Sequence, residues 1–108
     1  MSGTEVATAF AALGDETRWN ILVRLGREPA SASALAADLP ITRQAVGKHL
    51  EVLRAVGLVE SRRQGREVVH RAVGGRLSAL GRDLQRVGET WERRLASLKE
   101  LAERDDRP

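Results

Sequence analysis

The chain has 108 residues, the size of one ordinary domain, and its 42% hydrophobic and 31% charged residues point to a packed core rather than disorder. It has no cysteine, which excludes disulfides, thiolate metal sites and cysteine nucleophiles and argues against a small secreted scaffold. The net charge of +3 is unevenly spread: residues 1–41 carry three Arg against five Asp/Glu, residues 42–76 eight Lys/Arg against three Glu, and residues 77–108 seven of each sign.

All the excess positive charge thus lies in the middle third, the footprint of a polyanion-binding surface. The aromatics are only Phe10, Trp19 and Trp91. A core built from Leu, Val and Ala suits a mainly helical protein better than a β-sandwich. The start lacks a basic leader, and its apolar run is broken by Glu5, Thr8 and Gly14, so no signal peptide is expected. No run of about eighteen apolar residues occurs, so no membrane span is expected and the expected place is the cytoplasm.

In chain order, residues 5–13 read as a short apolar helix. Asp15 is a good N-cap for the next helix, with Glu16 in its first turn. That helix carries Ile21, Leu22 and Leu25 on one side and ends near Gly26. Trp19, beside Ile21 and Leu22, is expected in the core. Pro29, Ala30 and Ser31 read as a loop. A third helix starts near Ser33, is anchored by Leu35 and Leu39, and stops at Pro40. Thr42 caps a fourth, in which Val46, Leu50 and Leu53 recur at i, i+4, i+7. Gly57 follows it in the position that favours left-handed backbone.

The period then shortens. Residues 58–63 and 67–73 are extended-looking runs, with Gln64-Gly65 between them as a hairpin turn and Gly74-Gly75 closing the segment. The remainder is one long helix over about 77–103. Its apolar residues Leu77, Leu80, Leu84, Val87, Trp91, Leu95, Leu98 and Leu101 are spaced 3, 4, 3, 4, 4, 3, 3. At 1.5 Å per residue this is roughly 40 Å, too long for a small globule to cover, so the stripe is expected to seek a partner. The tail Asp105-Asp106-Arg107-Pro108 is expected to fray.

A short helix, a turn containing Pro40-Ile41 and a capped helix make a helix-turn-helix over about 33–56. A hairpin over about 58–73 with a basic tip follows. By order and spacing this is a winged helix-turn-helix, mainly α with a two-stranded wing, forming a single domain over 1–108. The second helix must turn polar side chains outward while Val46, Leu50 and Leu53 hold its inner face. Arg43, Gln44, Gly47 and Lys48 fall on the outer side. Arg can read guanine O6/N7 and Gln adenine N6/N7, and the helix N-terminus with the Thr42 hydroxyl suits a phosphate.

The stretches FAALGDETRWNILVRL and ITRQAVGKHLEVLRAVGLVESRRQGREVVHR resemble the ArsR family of bacterial transcriptional regulators, over about residues 5–101. The shared marks are Asp15, Thr17 and Arg18; Lys48, His49, Leu50 and Leu53; Gly57, Leu58 and Val59; and Arg63, Gly65 and Arg66. The resemblance implies a homodimeric repressor whose first and last helices (about 5–13 and 77–103) form the dimer, whose capped helix enters the major groove, and whose wing lies on the backbone. The implied partners are a double-stranded DNA operator and a second copy of the chain. A small-molecule effector stays open.

Two departures stand out. The metal sensors of the family carry a cysteine pair in the first helix of the motif, where this chain has Ala34-Leu35-Ala36-Ala37-Asp38. Others use Asp and His pairs on the last helix, which here has Asp83 but no histidine. No metal and no cofactor is therefore expected. Gly47 stands where the family usually has serine. Glycine within a helix costs about 0.5–1 kcal/mol relative to alanine; close approach to DNA and loss of one contact both remain open readings.

The expected DNA contacts are Thr42, Arg43, Gln44, Gly47, Lys48, His49, Arg62, Arg63 and Arg66. For His49 a phosphate contact and a structural role weigh equally. His70 reads as a satisfied, half-buried strand histidine, and Arg18 as the ion-pair partner of Asp15 or Glu16. The expected dimer residues are Phe10, Leu13, Leu80, Leu84, Val87, Trp91 and Leu95. With two histidines, no cysteine and no glycine-rich phosphate loop, no catalytic residue is expected. The competing reading is a protein-interaction module that uses the winged fold as a dimer scaffold, and the basic middle third speaks against it.

Overall fold

Four helices begin in the same way, on a side-chain oxygen three residues ahead of the amide it receives. In the computed structural model, which describes residues 2–105, Ser2 caps α1 (Gly3–Leu13) and Asp15 caps α2 (Glu16–Leu25). Ser31 caps α3 (Ala32–Asp38) and Thr42 caps α4 (Arg43–Ala55). The cap distances are 3.0–3.2 Å, and each satisfies one of the amides that a helix start leaves without a partner. The Asp15 carboxyl is held below the usual carboxylate range, first by its bond from the Arg18 amide.

Three strands complete the first part of the chain: β1 (Ala30–Ser31), β2 (Val59–Gln64) and β3 (Glu67–Ala72). They form one antiparallel sheet in the order β1-β3-β2. The segment at Ala30-Ser31 is thus not the loop its composition suggests. Ala30 pairs with His70 and Ser31 with Val69, so the far edge of β3 is covered. The hairpin pairs Val59 with Ala72 through to Gln64 with Glu67. Gln64 therefore belongs to the strand, and the turn is Gly65-Arg66. Gly65 has φ +62° while Arg66 stays negative, the sign pattern of a tight hairpin that needs glycine first.

The long helix α5 (Gly74–Asp105) starts three residues before the expected Leu77 and takes in Gly74 and Gly75. Of the four-residue tail expected to fray, Asp105 ends this helix, and residues 106–108 lie outside the described residues. Two compact units divide between Leu77 and Ser78. The first contains α1 to α4, the sheet and the first turn of α5; the second is the rest of α5.

In the first unit the core is aliphatic. Ile21, Leu22 and Leu25 of α2, Leu35 of α3, Val46, Leu50 and Leu53 of α4, and Leu58 and Val59 at the start of β2 are buried. Helix α4 packs against α1, α2, α3 and β2. α3 ends at Asp38, two residues before Pro40, because the residue ahead of a proline is driven to extended backbone and Leu39 adopts φ −120°, ψ 149°. Trp19 does not join the core. It is 55% exposed, beside Val23 one turn on at 56%, because Ile21, Leu22 and Leu25 define the inward side of α2 and position 19 falls off it. Arg24 is buried instead. Its Nε donates to Asp38 Oδ2 at 2.8 Å and Nη1 to the Glu28 carbonyl at 3.2 Å, so it ties the end of α2 to the end of α3.

Two glycines give opposite expectations. Gly57 ends α4 with φ +78°, and a Cβ there would lie 3.1 Å from Arg76 Nε. Gly47 is inside α4 and a Cβ there would meet nothing within 4 Å. Gly57→Ala should destabilise the chain by about 1–2 kcal/mol. Gly47→Ala should stabilise it by about 0.5–1 kcal/mol. Urea midpoints moving in opposite directions, at unchanged slope, are the expected result.

Candidate nucleic-acid interface

Helix α4 presents two different sides. Val46, Leu50 and Leu53 are at most 1% exposed. At 100° per residue, Gln44 and Lys48 project directly away from them and Gly47 lies to one side, while Arg43, in the first turn, falls nearer the inner side. Arg43, Gln44 and Lys48 are exposed and Gly47 is half-buried. The Thr42 hydroxyl oxygen accepts from the Ala45 amide at 3.1 Å, which leaves its proton free to donate outward. Glu51 also lies on the outer side and is exposed.

His49 is turned the other way. It is half-buried, and Arg18 Nη1 lies 3.4 Å from its Nδ1. Arg18 Nε donates to the Ala12 carbonyl at 2.6 Å, and the guanidinium reaches Asp15 only at 4.0 Å. Its main bond is therefore to the end of α1, and the expected ion pair is a secondary contact. Arg18, at the start of α2, thereby joins the end of α1 to the middle of α4.

On the hairpin, strand alternation puts Arg63 on the face of Ser61, Val68 and His70, and Arg62 on the face of Glu60 and Val69. Arg62, Arg63 and Arg66 are all exposed, so the three are near in sequence but do not share one face. Among the described residues, Arg43, Lys48, Arg62, Arg63 and Arg66 have no carboxylate within 4.0 Å, whereas Arg18, Arg24 and Arg71 do. These five cations, on α4 and around the hairpin tip, are both exposed and without a carboxylate partner.

The base of the hairpin is polar and closed. His70 is 6% exposed, and its Nδ1 lies 2.7 Å from Ser61 Oγ. Arg54 Nη1, from the last turn of α4, donates to the same Oγ at 3.1 Å. Burial first, and the Arg54 charge second, push His70 below the usual imidazole range. Sequence reasoning anticipated a satisfied His70 but missed Arg54 and Ser61. The available signal was the strand period, which turns Ser61 inward with His70, together with the arginine at the C-terminal turn of α4.

On α5 the apolar residues stay uncovered in the single chain. Leu84, Val87, Trp91, Leu95, Leu98 and Leu101 are 53–59% exposed, while Leu80 is 2% exposed. Phe10 and Leu13 of α1 are half-buried. Among the described residues no cluster of three His, Cys, Asp or Glu could hold a metal ion, and no helix is long and apolar enough to cross a membrane.

Residues 13–62 match the family model described as a helix-turn-helix domain. The HTH-type transcriptional regulator Rv2034 of Mycobacterium tuberculosis is 40% identical over 100 residues, 91% of each chain. A solved ArsR-like transcriptional regulator from Rhodococcus sp. RHA1 superposes with a TM-score of 0.83 at 55% identity, covering 92% of this chain and 93% of that one. The solution structure of Mb0332 from Mycobacterium bovis, described as a homodimeric winged helix-turn-helix DNA-binding domain, superposes with a TM-score of 0.67 at 28% identity over 80% of each chain. With its capped helix-turn-helix, its hairpin and its long last helix, this chain belongs to the ArsR family of winged helix-turn-helix transcriptional regulators.

Proposed function

We propose that the chain acts as a homodimeric repressor that occupies a near-palindromic operator, with α4 in the major groove and the hairpin wing on the flanking backbone. One observation carries this reading: five exposed cations without a carboxylate partner, Arg43, Lys48, Arg62, Arg63 and Arg66, lie on α4 and around the hairpin tip, within the segment of highest positive charge. A scaffold without a nucleic-acid partner has no use for that arrangement. In this reading Arg43 and Gln44 read base edges, and Lys48 and the Thr42 hydroxyl hold phosphates. Gly47, with open space where a side chain would be, lets the duplex come close. His49 supports α4 from behind through Arg18. Arg62, Arg63 and Arg66 grip the backbone from the wing.

The dimer rests on the apolar stripe of α5. Leu84, Val87, Trp91 and Leu95 offer it large apolar surfaces, and Phe10 and Leu13 of α1 join them. Leu80 belongs to the same stripe. Each large apolar side chain buried contributes roughly 1.5–3 kcal/mol, so several per subunit offset the cost of association. The homodimeric state of the Mycobacterium bovis neighbour supports this reading. Nothing in the donor set favours a metal effector.

Readout by α4 predicts selective loss. Arg43→Ala or Gln44→Ala should cost about 1–3 kcal/mol on a duplex selected from random sequence and far less on unselected DNA. Equal loss on both would reduce these residues to phosphate contacts. For the wing, Arg63→Ala and Arg66→Ala should weaken all duplexes alike. Each should flatten the slope of log K against log salt by roughly 0.9 per lost phosphate contact; an unchanged slope would take the wing off the DNA. For the dimer, Leu84→Glu or Trp91→Glu should convert tight operator binding to weak, half-site binding or leave the chain unfolded. Light scattering is the check: a folded wild-type monomer that binds its operator tightly at micromolar concentration would sink the dimer.

A further inference from the structure

The base of the wing holds a polar chain that the DNA reading does not use. Arg54 belongs to α4, Ser61 to β2 and His70 to β3, so three elements meet in two hydrogen bonds, Arg54 Nη1 to Ser61 Oγ at 3.1 Å and Ser61 Oγ with His70 Nδ1 at 2.7 Å. The direction of the chain follows from counting protons. Ser61 accepts from Arg54, which can only donate, and so has one proton left to give. A neutral His70 with a free Nδ1 takes it. A proton on Nδ1 would make Ser61 accept twice and leave its own hydroxyl proton without a partner. Burial and the Arg54 charge both favour the neutral ring, so the observed geometry and the protonation state agree.

Apolar packing alone leaves the hairpin loosely directed. Val59 is buried at the base of β2, but beyond Ser61 the strand is exposed through Gln64. Ser61 is therefore the last inward-facing residue of β2 that anything behind the sheet can grip. The hairpin tip at Gly65-Arg66 lies four to five residues further, roughly 13–17 Å at 3.3 Å per residue. A small change of angle at Ser61 is amplified over that length. Arg54 comes from the same helix that carries Arg43, Gln44 and Lys48.

We infer that Arg54, Ser61 and His70 form a strut that sets the wing's direction relative to α4, and so sets which phosphates the wing arginines reach. None of the three needs to touch DNA; they are positioning residues. The inference rests on the wing lying on the backbone, as proposed above.

The test is a double-mutant cycle in the full chain, between the strut and the wing tip, read as affinity for a duplex selected from random sequence. Ser61→Ala removes the link and leaves the tip intact. It should weaken binding by about 3- to 10-fold, the scale of one hydrogen bond, with a thermal midpoint that leaves the protein folded at the assay temperature. Arg66→Ala should weaken wild type, and should weaken the Ser61→Ala protein clearly less, because a misdirected wing has less contact to lose. The salt slope of Ser61→Ala should flatten as that of Arg66→Ala does, a change that a purely stabilising role would not produce. Arg54→Gln, at an exposed position, gives the same cycle if Ser61→Ala does not fold. Two losses that simply multiply, or a Ser61→Ala protein that binds like wild type with an unchanged slope, overturn the strut. An Arg66→Ala protein that binds as tightly as wild type overturns the wing reading itself, and the strut's role falls with it.

Discussion

The arrangement depends on one apolar stripe. Val46, Leu50 and Leu53 of α4 are essentially without exposed surface, and each such residue contributes roughly 1.5–3 kcal/mol when withdrawn from water. Because the three recur at helical spacing, burying them leaves α4 no freedom to roll. Which residues face outward is thereby decided without any polar interaction on the outer side. The neighbours follow from this: α3 and α2 cover the stripe, and the left-handed turn at Gly57 brings Leu58 and Val59 back into the same core. The hairpin then begins where α4 has just been fixed.

Charge is sorted by the same core. Arg24, withdrawn into the protein, is bonded to Asp38 and Glu28, and Arg18, half-buried, bridges the end of α1 and the middle of α4. A buried guanidinium without such partners would be strongly unfavourable, so these two arginines have no alternative use. On α4 and around the hairpin tip these five cations remain solvated and without a carboxylate partner, which keeps them available to a polyanion at little desolvation cost. Arg54 stands between the two groups. It is exposed like the second and bonded like the first, and it links the helix to the wing.

The long last helix imposes a different constraint. Six large apolar side chains more than half exposed on one helix form a surface that water disfavours, and a second copy of the same surface is the simplest complement. Two-fold pairing would place two copies of α4 at a separation set by the protein, so the spacing of the two halves of an operator would be read by the dimer rather than by any single contact.

Much of this was legible in the sequence for identifiable reasons. The Asp15 and Thr42 caps, the Val46, Leu50 and Leu53 stripe, Gly57 and the α5 stripe are local signals, because helix start, helix period and left-handed backbone depend on residues within a few positions of each other. The unpaired state of Arg43, Lys48, Arg62, Arg63 and Arg66 was legible only as a local excess of charge. What the tertiary structure decided were pairings between distant segments. Ala30-Ser31 looks like a loop because two residues carry no strand period, and only β3 makes them a strand. Trp19 is apolar by type but falls outside the arc that the rest of the core covers, and no local pattern states the width of that arc. The register of β2 against β3 moved the turn to Gly65-Arg66. Burial of Arg24 and the link from Arg54 through Ser61 to His70 join residues 7 to 14 positions apart, and such contacts exist only once the apolar core has brought their elements together.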